Sequence, residues 1–137
     1  MVHDIFADTS GLYAILVSSD DCHKKACQIL KNASEKKIRF IVTDYILDET
    51  ATLLRARGHT VSATDLFETI VASRACRIEW MDHDRFNHTK AFFSKHSDQD
   101  WSFTDCFSFV IMKELSIHDA LTKDHHFTAA GFRALLS

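Results

Sequence analysis

Ile5-Phe6-Ala7-Asp8-Thr9-Ser10-Gly11-Leu12-Tyr13-Ala14-Ile15-Leu16-Val17 is the stretch on which the fold turns. The apolar triplet at its start reads as a short buried strand. Asp8-Thr9-Ser10 are residues of the kind that open helices, and residues 11–17 continue as one. A strand that runs directly into a helix, with an acid at the junction, begins an α/β unit, because parallel strands need helical crossovers to connect them.

The same alternation repeats outward from this stretch. Asp20 and Asp21 can cap a second helix through Lys37, with Cys22, Ala26, Ile29, Leu30 and Ala33 on one face and Lys24, Lys25, Lys31 and Lys36 on the other. Residues 38–42 form a second strand, and Thr43 caps a helix that Gly58 closes, with Ile46, Leu47, Leu53 and Leu54 on its buried stripe. A helix over 62–73 uses Leu66, Phe67, Ile70 and Val71, and a strand follows at 76–80. Phe86, Phe92 and Phe93 anchor a helix over 82–95. After a polar loop, the helix over 104–115 is nearly apolar, as expected of one packed against a sheet. Residues 120–122 give a fourth strand and 134–136 a fifth. The expectation is a parallel sheet with helices on both sides.

Composition narrows the class. At 137 residues the chain is long enough for one domain, 1–137, with a real core. A hydrophobic fraction of 46% with 11 Phe excludes a disordered chain. No Pro and only 3 Gly argue against a turn-rich all-β fold. The 4 Cys form no CxxC pair, and the start lacks a basic-then-apolar signal, so reduced thiols and a cytoplasmic location are expected. No apolar run reaches the roughly 20 residues that span a bilayer, so no membrane partner is expected. A net charge of −3 does not suit a basic nucleic-acid-binding module.

Four acids, Asp8, Glu49, Asp105 and Asp124, lie where strands hand over to helices or within those helices. In doubly wound sheets function gathers beyond the carboxyl ends of the strands. Carboxylates brought together there repel unless a divalent cation neutralises them, and oxygen-only ligation selects Mg²⁺ or Mn²⁺. Each acid also has a structural reading as a helix cap, and Asp105 in Ser102-Phe103-Thr104-Asp105 suits a capping box. Glu49 lies too far into its helix to cap, and its apolar neighbours place it on a face expected to be largely buried.

Phe6-Ala7-Asp8-Thr9-Ser10, Asp48-Glu49-Thr50, Ser102-Phe103-Thr104-Asp105-Cys106 and Leu121-Thr122-Lys123-Asp124-His125-His126-Phe127, in this order and spacing, resemble the motifs of PIN-domain ribonucleases, most closely the VapC-type toxins of toxin–antitoxin pairs. The resemblance implies a three-layer α/β/α sandwich around a mainly parallel sheet of four to five strands. It implies that Asp8, Glu49, Asp105 and Asp124 gather Mg²⁺ or Mn²⁺ for hydrolytic RNA cleavage. Asp8 and Asp105 would be ligands, Glu49 would hold or orient the attacking water, and Asp124 would complete the site. Thr9, Ser10 and Thr104 would aim the carboxylates. A cognate antitoxin and a homodimer are implied likewise. Where such proteins often carry Arg after the last acid, this chain has His125, which would make a phosphate contact there pH-dependent.

Other readings compete. A non-catalytic PIN-fold module would bind RNA or protein without cutting. An aspartyl phosphohydrolase would expect a second Asp where Ser10 stands. His83, His88, His118, His125 and His126 lack usual zinc spacing. Cys106 reads as a small core residue. Arg55, Arg57 and His59 either touch RNA phosphates or form a solvated helix end.

Overall fold

The structure, a computed structural model, describes residues 3–137. In chain order it contains β1 (Ile5–Ala7), α1 (Thr9–Leu16), α2 (His23–Glu35), β2 (Phe40–Thr43), α3 (Asp44–Ala56), α4 (Thr60–Ala72), β3 (Cys76–Glu79), α5 (His83–Lys95), α6 (Phe103–Glu114), β4 (Asp119–Leu121), α7 (His125–Ala129) and β5 (Arg133–Ala134). The sheet has the order β3-β2-β1-β4-β5, and every neighbouring pair is parallel. The α/β/α class expected from the alternation is the fold observed. Several local readings change. Asp20 and Asp21 do not cap α2, whose N-cap is Cys22 with no side-chain capping bond. Residues 125–129, read only as motif, form α7, and the fifth strand lies at 133–134 rather than 134–136.

Local chemistry sets the helix starts. The Thr43 hydroxyl accepts from Ile46 N at 3.1 Å, and Asp82 Oδ1 accepts from Arg85 N at 2.8 Å. Gly58, with φ at +83°, ends α3 in the left-handed region that a side chain disfavours.

Crossovers between parallel strands are right-handed, so the direction of travel across the sheet decides the face on which each helix lies. From β1 the chain moves through β2 to β3, then returns past β1 to β4 and β5. The helices α1–α4 therefore cover one face, where α1 packs on α2 and α3 and α3 packs on α4. The helices α5–α7 cover the other, where α5 packs on α6. Between β1 and β4 the chain leaves toward opposite faces, which opens a crevice at the carboxyl ends of those two strands.

The core follows from this arrangement. All three residues of β1 are buried, and Phe6, Phe107, Phe109 and Phe127 are closed off completely. Phe109 meets Trp101 and Phe127 edge-on, with centroids 5.1 and 5.0 Å apart. The apolar stripes of the outer helices are narrower than the sequence pattern predicts. Leu66 and Ile70 are buried in α4, but Phe67 and Val71 lie exposed. Of the three phenylalanines of α5 only Phe92 packs against the core, while Phe86 and Phe93 are exposed. Buried Glu79 at the end of β3 is held by Arg77 at 2.6 Å and by Arg85 at 2.8 Å.

Gly11 sets the distance between α1 and β4. A Cβ built there would stand 2.0 Å from the Leu121 carbonyl oxygen and 2.9 Å from the Leu121 Cγ. Any side chain must push the first turn of α1 off the end of β4. The Gly11→Ala variant is expected to lose about 1–3 kcal/mol by overpacking, read as a lower urea midpoint.

Candidate active site

Asp8, Glu49, Asp105 and Asp124 all line one groove of about 240 Å³ at the carboxyl ends of β1 and β4. The fold thus assembles residues from four distant segments at its topological switch point.

Asp8 follows β1 and is buried at 6% exposure. It stands at the N-cap of α1, yet its side chain makes no capping bond. Its Oδ2 instead accepts from the Thr122 hydroxyl at 2.8 Å and from Ser10 Oγ at 3.3 Å. Burial, above all, raises its pKa to about 6; hydrogen bonds from Thr122 and the Thr9 backbone oppose this, and the nearby charges of Glu49 and Asp105 add to it.

Glu49 departs from expectation. It is exposed to the groove rather than buried, because the stripe formed by Ile46, Leu47 and Leu54 turns away from it toward the core. The Thr9 hydroxyl donates to Glu49 Oε1 at 2.6 Å and accepts from the buried Thr50 hydroxyl at 3.3 Å. Tertiary contact therefore fixes an otherwise free surface carboxylate.

Asp105 carries both of its sequence readings. It forms the capping box of α6 with Ser102, through bonds of 3.0 and 3.1 Å, and it lines the groove. Asp124 caps α7 by accepting from His126 N at 2.9 Å through Oδ1. The Thr122 hydroxyl, already bonded to Asp8, also accepts from Asp124 N at 3.0 Å. Thr122 thereby links two of the four acids, a role its place in the motif does not reveal. Thr9 and Ser10 support the carboxylates as expected. Thr104 does not: among the described residues its side chain makes no hydrogen bond to an acid, and its carbonyl accepts from Ser108 Oγ.

The histidine at the site is His126, not His125. His126 Nδ1 lies 3.3 Å from Asp105 Oδ2 and 3.4 Å from Asp124 Oδ1, whereas the side chain of His125 is 85% exposed. The first turn of α7 separates the two directions. Asp124, His125 and His126 can each bring one donor atom within 4.8 Å of the others. Cys106 is an inert thiol beside Asp105: burial, then the Asp105 charge, push its pKa up to about 11.

The acids fit a hard divalent cation. Among the described residues no Lys, Arg or His forms an ion pair with Asp8 or Glu49. Protein donors reach Glu49 through Oε1, Asp105 through Oδ2 and Asp124 through Oδ1, so one oxygen of each remains without a protein donor among those residues. No three of the four acids bring oxygens within 4.8 Å of one another among the described residues. That spacing suits an ion held by one or two carboxylates with water completing its shell, the usual habit of Mg²⁺.

Asp20, Tyr13, Leu53, Arg57 and Lys123 also line the groove. Lys123 Nζ bridges Asp20 Oδ1 and Asp21 Oδ1 at 3.1 Å each, and its backbone N donates to Ser10 Oγ at 3.0 Å. This bridge fastens the loop between α1 and α2 to the loop after β4.

The PIN domain family model matches residues 5–133, and the chain belongs to the PIN-domain family. It is 31% identical, over 129 residues, to the 23S rRNA-specific endonuclease VapC20 of two Mycobacterium tuberculosis strains, a match covering 93% of this chain and 95% of the relative. The crystal structure of M. tuberculosis VapC20, described as a sarcin-ricin loop cleaving toxin, superposes with a TM-score of 0.81 at 29% identity. That match covers 94% of this chain and 96% of the other.

The Asp8 carboxyl makes a pH signature for the metal-free protein. Its folded pKa lies above the unfolded value of 3.8, so stability is fully present below that value and is lost as pH rises toward about 6. The expected loss is about 3 kcal/mol, read by urea unfolding in EDTA as the difference between wild type and Asp8→Asn across that range. Thr122→Val, which removes a bond favouring the charged carboxylate, should move the end of the transition to higher pH.

Proposed function

We propose that this PIN-domain protein is a metal-dependent endoribonuclease of the VapC toxin type, with Asp8, Glu49, Asp105 and Asp124 as its catalytic and metal-holding residues and Mg²⁺ or Mn²⁺ as its cofactor. The observation that carries this reading is the convergence of the four acids, with the buried Asp8 among them, on one groove at the switch point. The full-length similarity to 23S rRNA endonucleases supports RNA as substrate, and a loop of 23S rRNA is the first to test.

A divalent ion bound among these carboxylates supplies Lewis-acid polarisation of the phosphoryl oxygens and acidifies water at neutral pH. The protein residues supply geometry. Thr122 and Ser10 fix the Asp8 carboxylate, Thr9 fixes Glu49, and the capping box fixes Asp105. Glu49, the most exposed of the four, orients the attacking water and takes its proton. His126 lies beside Asp105 and Asp124, its Nδ1 within 3.4 Å of an oxygen of each.

The naming of the relatives as toxins supports a cognate antitoxin as partner and action in the cytoplasm. No helix of the described residues is long and apolar enough to cross a membrane. A homodimer accords with the exposed apolar side chains Phe67, Val71, Trp80, Phe86 and Phe93. A phosphohydrolase reading gains nothing from the structure, since Ser10 at the third position bonds Asp8 and Thr122.

Purified protein free of any inhibitor, incubated with total RNA and with a 23S rRNA loop hairpin in Mg²⁺ or Mn²⁺, should give discrete cuts. EDTA should abolish them, and Asp8→Asn and Asp105→Asn should each lower the rate by at least about 10²-fold while the fold persists. Intact RNA with folded wild-type protein and either metal would shift the assignment to a non-catalytic binding module.

A further inference from the structure

We infer that Arg57 is the phosphate-gripping residue of the groove and holds a backbone phosphate beside the cleaved bond. The inference rests on the RNA-cleaving reading and deepens it, since it names the group that binds substrate next to the acids.

Helix α3 and its C-cap send Glu49, Leu53 and Arg57 into the groove, at four-residue intervals along one face. Eight residues of α-helix rise about 12 Å, so Arg57 starts two turns beyond the acid and meets a flanking phosphate rather than the reacting one. Arg55, two positions earlier, lines a different hollow with Ala51, Thr52, Ala63, Thr64 and Phe67 between α3 and α4.

Charge singles out the same residue. Five carboxylates line the groove, those of Asp8, Asp20, Glu49, Asp105 and Asp124, against two permanent cations, Lys123 and Arg57. Lys123 is already committed to Asp20 and Asp21. Arg57 forms no ion pair among the described residues, although it lines an acidic groove.

What holds Arg57 is an aromatic face. Its Cζ lies 5.0 Å from the centroid of the Tyr13 ring, and the ring is buried and meets His59 edge-on at 6.0 Å. A guanidinium held over a ring face by cation–π attraction keeps N–H donors free, and its fork can take two phosphate oxygens at once. The platform fixes the cation without neutralising it, the arrangement needed for a ligand that is itself an anion.

Steady-state cleavage of the 23S rRNA loop hairpin tests this at several salt concentrations, with wild type, Arg57→Ala, Arg57→Lys and Arg55→Ala. Arg57→Ala should raise KM about tenfold with kcat nearly unchanged, since a charge-assisted contact to a spectator phosphate is lost. The slope of log(kcat/KM) against log salt should shrink by about 0.7, the contribution of one phosphate contact on a single strand. Arg57→Lys should keep the slope and recover KM only in part, and Arg55→Ala should match wild type. An unchanged KM and slope in folded Arg57→Ala would overturn the inference while leaving the nuclease reading intact, as would equal losses in Arg55→Ala. If Arg57→Ala does not fold, a KM in Arg57→Lys equal to that of wild type overturns it too. Wild-type protein that neither cuts nor binds RNA would instead remove the nuclease reading and this inference together.

Discussion

One hydrogen bond, from the Thr122 hydroxyl to Asp8 Oδ2 at 2.8 Å, ties together the carboxyl ends of β1 and β4, and the site is organised around it. These two strands are neighbours whose chains depart toward opposite faces, so nothing but their ends closes the crevice between them. The bond forms because Gly11 lets the first turn of α1 sit against the Leu121 carbonyl. The same Thr122 oxygen accepts from Asp124 N, and Ser10 Oγ joins Asp8, Thr122 and the Lys123 backbone. Shift α1 outward by the width of a methyl group and all of these contacts change together, because they share two hydroxyls.

The arrangement is costly to the fold. A carboxylate buried to the extent of Asp8 favours its protonated form, and neighbouring acids deepen that preference. Elsewhere the structure treats buried charge differently. Glu79 is equally buried but receives two guanidinium groups, from Arg77 and Arg85. The contrast within one molecule separates a charge that serves packing from one left electrostatically unsatisfied. Hydroxyls can orient a carboxylate without cancelling it, and Thr9, Ser10 and Thr122 are the residues the site uses.

Much of this was legible in the sequence, for identifiable reasons. The alternation of short apolar runs with 3.6-residue patterns located the strands and most of the helices, since backbone geometry fixes both periods. The four acids stood out because the residues around them, in order and spacing, resemble the motifs of one family. What depended on tertiary direction was not legible. Glu49 was placed on a buried face by its apolar neighbours, but its own Cβ faces the groove, about 100° around the helix from Thr50. His125 and His126 are adjacent in sequence, and only the turn of α7 shows that the second faces Asp105. Phe67, Val71, Phe86 and Phe93 looked like core because aromatic and β-branched residues usually are. Arg55 and Arg57 were equivalent as sequence, and the Tyr13 ring distinguishes them.

The acidity of the groove also answers a difficulty raised by the net charge of −3. A basic protein attracts RNA along its whole surface, and such attraction carries little selectivity. Here the groove by itself repels phosphate, with five carboxylates against Arg57 and a Lys123 already paired. On the proposed reading a divalent cation offsets most of that charge and presents a positive centre to the phosphate, so the ion governs substrate affinity as well as chemistry. Affinity then depends on a few phosphates held close to the acids rather than on a diffuse field. An RNA loop that presents its backbone to both the cation and the Tyr13-backed guanidinium satisfies that requirement, and a straight duplex, whose phosphates follow a fixed helical path, satisfies it less well.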